Sequence, residues 1–145
     1  MYIRGHFAGT STGSYASVLK FGQYRKNIHC RCKNTTKERL ELLPAIVGLK
    51  TLKKACHVQI HTDSVYVVNY FNHPGIKTWL ESGLPDPKTQ DKNFDLWQKL
   101  LALTKTHRIE FVLDVEKTNP ENRNCINLAV RVMSIPSVQP PVNND

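Results

Sequence analysis

Glu41 and Asp63 are the two side chains of this sequence whose types and placement could do chemistry together. Carboxylate oxygens are hard ligands for divalent cations, and two that converge can hold one weakly through its water shell. Glu41 lies one turn inside a predicted helix that starts after Thr35-Thr36, residues able to cap it. In that helix Leu40, Leu43, Ile46, Val47 and Leu49 recur at helical spacing, and Lys50, Lys53 and Lys54 crowd its C-terminal end, where positive charge suits the dipole. Asp63 follows His57–Thr62, whose alternation predicts a strand. Ser64 or Asp63 can then cap a second helix carrying Tyr66, Val67, Tyr70 and Phe71. The carboxyl end of a strand in an open α/β sheet is where ligands and metals bind. Plainer readings compete. Glu41 can be a surface partner of Lys37, worth on the order of a few tenths of a kcal/mol, and Asp63 can be only a helix cap, worth about 1 kcal/mol.

The elements around this pair predict a meander followed by α/β units. Tyr2–Phe7 reads as a strand and Ala8–Ser14 as a small-residue turn. Tyr15–Tyr24 and Asn27–Cys32 then read as the next two antiparallel strands. After the helix–strand–helix segment, His73-Pro74-Gly75 stops the second helix, Ile76–Leu84 suggests a short one, and Pro85-Asp86-Pro87 a loop. Asn93 or Asp95 starts a helix through Trp97, Leu100, Leu101 and Leu103. Arg108–Asp114 alternates as a fifth strand, and a last helix covers roughly Pro120–Met133. One domain over 1–133 is therefore expected. The remaining residues, 134–145, hold three prolines and little to bury, which predicts a disordered tail.

A chain of 145 residues that is 40% apolar can bury one core. It has no apolar run long enough for a bilayer, and MYIRGHFAG lacks the charged head and apolar stretch of a signal peptide. An intracellular protein, cytoplasmic or nuclear, is the expectation, with no membrane partner. The net charge of +8 favours a polyanion such as nucleic acid. Cys30-Arg31-Cys32 beside His29 suggests a metal knuckle, but no second pair lies at zinc spacing, so free thiols in a reducing compartment are the better reading. Trp97 reads as core packing, whereas Trp79 is open between packing and base stacking. His57, His61, His73 and His107 have no evident catalytic partner.

The chain resembles the type I ribonuclease H family in four ordered segments covering roughly residues 2–133. Leu40-Glu41-Leu42 opens a long apolar helix, and a strand then ends Thr62-Asp63-Ser64 with Tyr66-Val67 beyond. Gly13–Leu19 is similar to the family's first hairpin. Lys92–Gln98 is similar to its KN-x-DLW helix start, and Asn119–Cys125 to the HPEN-x-x-C-D segment opening its last helix. The resemblance implies an α/β, RNase H-like fold: a five-stranded mixed sheet, an antiparallel three-strand meander plus two parallel strands, with helices on both faces. It also implies hydrolysis of RNA in RNA–DNA hybrids by two Mg²⁺ ions held by four carboxylates.

Glu41 and Asp63 match the second and third of those carboxylates, but Arg4 stands at the first position and Ile126 at the fourth. Glu116 stands where the family has its flexible-loop histidine. Arginine offers a fixed positive charge and no lone pair, so a salt bridge from Arg4 to Asp63 or Glu41 is expected in place of a metal pair. The surface that meets the hybrid departs too. Lys37 and Glu38 replace polar amides, Val65 a glutamine, and Glu81, Leu84 and Asp86 stand where lysines and a second tryptophan belong. These departures imply a fold repurposed for nucleic-acid or protein binding, with Lys20, Arg25, Lys26, Arg31, Lys33 and Lys37 as nucleic-acid contacts, joined by Lys50, Lys53 and Lys54. One alternative is a structural or assembly scaffold needing no cofactor. Another is an active hybrid ribonuclease using Mg²⁺, with Asp114 or Glu116 supplying the missing oxygens.

Overall fold

The structure, a computed structural model, describes residues 1–76, 78, 93–115 and 119–134. Strands β1 (Tyr2–Gly9), β2 (Thr12–Phe21) and β3 (Tyr24–Lys33) form the meander. Helix α1 (Lys37–Lys50), strand β4 (His57–Thr62) and helix α2 (Val65–Phe71) follow. Helix α3 (Phe94–Leu103), strand β5 (Arg108–Leu113) and helix α4 (Pro120–Ser134) complete the described elements. The strands make one mixed sheet in the order β3-β2-β1-β4-β5. Pairing is antiparallel through the meander and parallel for β1–β4 and β4–β5. The expected fold class is observed.

The meander's boundaries differ from those read in the sequence. The first turn is not Ala8–Ser14 but only Thr10-Ser11, at φ 52° and 60°, flanked by the pair Gly9 and Thr12. Positive φ at both central residues gives a turn whose twist matches that of its strands. The second turn is Gly22-Gln23, with Gly22 at φ +58° and Phe21 paired with Tyr24. Tyr15–Tyr24 is therefore not one strand, and Tyr24 opens β3. A two-residue hairpin loop with glycine first needs only that positive φ. At the sheet's edge, β3 carries Arg25, Lys26, Arg31 and Lys33, and such charges discourage pairing with another strand.

Helix α1 lies across β1 and β2 and positions the candidate site. The Thr36 hydroxyl caps it by accepting from the Arg39 amide at 3.3 Å. Leu40, Leu43, Ile46 and Leu49 are buried with Ile3, Tyr15 and Ile60. Contact is closest at Gly5, where a Cβ would lie 2.7 Å from the Leu40 carbonyl oxygen, so only glycine lets the first half of α1 settle so near β1. A two-pronged ion pair, with Arg39 donating to both Asp95 oxygens at 3.0 Å, ties α1 to α3. Trp97 of α3 is fully buried; its Nε1 donates to the Tyr66 hydroxyl at 2.8 Å and its ring stacks on Tyr70. It is core packing, as expected.

The opposite face of the sheet is covered by α4. Pro120 opens this helix, the Asn119 side chain accepts from the Glu121 and Asn122 amides, and Cys125 and Ala129 pack on Ala16 and Val18. All four cysteines are free, with Cys32 and Cys125 buried and Cys30 and Cys56 half-buried. Cys30 and Cys32 pair with Tyr15 and Gly13 on one face of the sheet. His29, opposite Ala16, alternates to the other face, so the knuckle does not assemble. Of the helix expected over 76–84 only residues 76 and 78 are described; Trp79 and Glu116 lie outside the described residues, as does the expected tail after Ser134, which ends α4.

Candidate functional site

The parallel pairing of β1 with β4, through Tyr2 and His61, carries Arg4 and Asp63 to the same end of the sheet's centre. Arg4 is 5% exposed, and its Nη1 lies 3.4 Å from Oδ1 of the half-exposed Asp63. Its Nη2 donates to the Asp114 carbonyl at 3.0 Å. Nε and Nη1 are buried without a hydrogen-bond partner, so the 3.4 Å contact is ionic attraction without hydrogen-bond geometry. The predicted salt bridge from Arg4 forms, with Asp63 as its partner.

Glu41 follows Leu40, the residue pressed against Gly5, and is half-buried beneath the start of α2. Burial raises its carboxyl above the usual range, and a hydrogen bond from the Ser64 hydroxyl opposes that rise only in part. Ser64, not Asp63, caps α2, its side chain accepting from the Val67 amide at 3.1 Å. Glu41 is thus more than a surface partner of Lys37, and Asp63 is more than a helix cap.

Ile126, from the first half of α4, lines a pocket of about 240 Å³ with Arg4, His6, Asp63, Val115 and Val130. Where the resemblance places a fourth carboxylate, the wall is apolar. Asp114 does not fill the gap: its carboxylate lies 3.1 Å from His61 Nδ1, and the His61 ring stacks on Tyr2 at a centroid distance of 4.5 Å. Among the described residues no group of three His, Cys, Asp or Glu side chains is placed to hold a metal ion. The described residues therefore do not fit a two-Mg²⁺ centre. Glu41 and Asp63 remain as a pair, one drawn toward its neutral form and the other facing a buried guanidinium.

The sequence-predicted basic residues divide in two. Lys20 and Arg25 reach across to Glu121 of α4, at 3.2 and 2.7 Å, and Arg31 is half-buried, whereas Lys26, Lys33 and Lys37 are exposed. Burial raises the Glu121 carboxyl, but Lys20 and Arg25 outweigh that and hold it below the usual range. Two His–carboxylate contacts were not read from the sequence: His57 with Glu110 at 2.6 Å and His61 with Asp114 at 3.1 Å. The available signal was the matching four-residue spacing of His57 and His61 on β4 and of Glu110 on β5 and Asp114 just beyond it, on one face of neighbouring strands.

Comparison with known proteins agrees with this architecture. The sequence model of one family, described as RNase H, matches residues 2–134. A ribonuclease H of Desulforamulus reducens is 37% identical over 141 residues, covering 95% of this chain and 89% of that protein. Another from Caldanaerobacter subterraneus is 37% identical over 132 residues, covering 89% and 86%. Among solved structures, LC9-RNase H1, a type 1 RNase H with the type 2 active-site motif, superposes with a TM-score of 0.68 at 17% identity, over 90% of this chain and 70% of that one. A foamy viral protease–reverse transcriptase in complex with RNA/DNA hybrid superposes with a TM-score of 0.61 at 17% identity, over 90% of this chain and 19% of that one. On the strength of a match that runs from β1 to the end of α4, and of relatives sharing more than a third of its residues, the chain belongs to the RNase H family.

Proposed function

We propose that this RNase H domain binds nucleic acid and does not cut it by the two-cation route. The observation that carries the reading is the buried Arg4 guanidinium paired with Asp63. A guanidinium has no lone pair for a cation and keeps its charge at any pH a folded protein meets. It therefore repels a divalent ion from the position where the resemblance puts a bridging carboxylate. Ile126 removes a second ligand, and among the described residues Mg²⁺ has Glu41 and Asp63 to bind, weakly and through water. Binding draws support from the net charge of +8 and from the exposed Lys26, Lys33 and Lys37. Such contacts go to phosphates, so affinity falls steeply with salt and depends little on sequence. The foamy viral neighbour in complex with RNA/DNA hybrid makes a hybrid the first ligand to try.

A specific observation favours a second reading, in which the domain is a scaffold for a partner protein. Val115 and Val130, 64% and 47% exposed, rim the pocket beside Ile126 and leave an apolar patch at the degenerate site.

The test is cleavage of a labelled RNA–DNA hybrid with Mg²⁺ and then Mn²⁺, with Asp63→Asn as control and a salt-titrated binding assay in parallel. Binding without cleavage, weakening steeply with salt, is the expected result. Cleavage that disappears in the control overturns the proposal and directs attention to Asp114 and Glu116. Neither binding nor cleavage turns attention to a protein partner.

A further inference from the structure

Roughly 17 Å along β2 from the residue opposite Arg4, the sheet ends in a second feature. Phe21 and Tyr24 close the β2–β3 hairpin as cross-strand partners and are 85% and 61% exposed. Isolated apolar side chains on a surface need no explanation, but two large aromatic rings side by side beside a groove do. The groove has a volume of about 670 Å³ and is lined by Phe21 and Tyr24 together with Tyr2, Leu52 and His57. That volume lies in the range of pockets that take small molecules, about 300–1,000 Å³.

The charges nearest the aromatic pair are positive, while two acids reach the groove's rim, Glu121 at Lys20 and Glu110 at His57. Strand alternation puts Lys26 on the same face as Tyr24, and its partner Leu19 lies against Gly48 of α1, so this is the α1 side of the sheet. On that side α1 runs out into Lys50, Lys53 and Lys54, all exposed. Among the described lining residues there is no Asp or Glu. Lys20, itself a lining residue, is engaged together with Arg25 by Glu121 of α4, and the lining His57 contacts Glu110, so the cations offered to a ligand are Lys26, Lys50, Lys53 and Lys54. Aromatic faces in water beside lysines suit bases and phosphates together. Only unpaired bases have free faces, because those of a duplex are already stacked.

We propose that this groove binds single-stranded nucleic acid at a place separate from the Arg4 site. Bases stack on Phe21 and Tyr24, and the backbone runs past Lys26 toward Lys53 and Lys54. The inference rests on the reading that the partner is nucleic acid, but its surface and ligand differ from those of the degenerate site. The experiment is fluorescence anisotropy with labelled oligo(dT) and, separately, a labelled RNA–DNA hybrid. Phe21→Ala with Tyr24→Ala is expected to weaken oligo(dT) binding by at least about tenfold, and Phe21→Trp to retain it. Lys53→Ala with Lys54→Ala is expected to lower the slope of log affinity against log salt by about 0.7 for each phosphate no longer neutralised. Both aromatic rings are exposed, so the variants fold, which circular dichroism verifies. Unchanged oligo(dT) affinity in the aromatic double variant overturns the proposal, as does an equal fall for the hybrid. Self-association that the double variant abolishes, with no oligo(dT) bound by the parent, overturns it in favour of a second copy of the chain. Retained oligo(dT) binding without any hybrid binding supports this site and overturns the preceding reading.

Discussion

Removing Arg4 and removing Asp63 are expected to have opposite effects on stability, because the two partners are unequally buried. Arg4 is 5% exposed and Asp63 48%. Arg4→Met keeps most of the apolar stem and deletes the guanidinium. It forfeits the hydrogen bond to the Asp114 carbonyl, about 1.5–3 kcal/mol for a charged donor. It also forfeits a half-screened ion pair worth at most about 1 kcal/mol. Against this, Nε and Nη1 need no longer be buried without partners, a relief of about 1–3 kcal/mol each. The net expectation is a gain of about 1 kcal/mol, in keeping with apolar replacements of buried ion pairs. Asp63→Asn leaves the guanidinium buried with less compensation. Breaking a wholly buried pair costs about 3–5 kcal/mol, and the solvent already around Asp63 reduces this to about 1–2 kcal/mol. Urea unfolding reads both, as a midpoint shift at constant m-value. Thermal midpoints should move by about 3–4 °C per kcal/mol in a chain of this size. If Arg4→Met is less stable than the parent by more than about 1 kcal/mol, or Asp63→Asn has no effect, the assignment of the cost to unpartnered guanidinium nitrogens is wrong.

Glu41→Gln should stabilise the protein at neutral pH and do nothing in acid. Burial raises the folded carboxyl above its unfolded value, so Glu41 costs nothing below the unfolded pKa and progressively more as pH rises through the folded one. Urea midpoints of parent and variant should coincide near pH 4 and separate toward pH 7; a gap that widens in acid would reverse the sign of the burial effect. Arg4→Asp combined with Ile126→Asp should bind Mn²⁺ in calorimetry where the parent binds little, and equal binding by the two proteins would show that neither position controls the metal. Trp97→Phe should cost about 2–3 kcal/mol through a cavity and the missing bond to Tyr66, seen as a lower urea midpoint with reduced near-ultraviolet dichroism.

Most of the architecture was legible because burial writes a period into the sequence. The apolar stripe of α1 is plain from Leu40 to Leu49 even though Pro44 lies inside the helix. Burying that stripe offsets a proline cost of about 3 kcal/mol. The hairpin ends were less legible, since Tyr24 suits a strand on either side of a turn and only Gly22 marks where the chain reverses. For the site, Glu41 and Asp63 could be placed from their elements, but the substituted positions came from family resemblance. Nothing in composition says that Arg4 is buried. The engagement of Lys20 and Arg25 by Glu121 depends on α4 crossing the meander, and the two His–carboxylate pairs depend on the β4–β5 register. Local sequence specifies neither.

The Arg4–Asp63 pair would act as a ratchet in any lineage that had exchanged carboxylates for Arg4 and Ile126. Arg4→Asp alone would set a second carboxylate near Asp63 while Ile126 still withholds a ligand, so the repulsion would arrive without a cation to relieve it. Ile126→Asp alone would place a carboxylate beside a guanidinium and add another salt bridge rather than a metal ligand. Each single reversal is unrewarded until the other is in place. A lineage that had acquired both residues would therefore drift toward new uses of the surface more readily than back to a four-carboxylate centre.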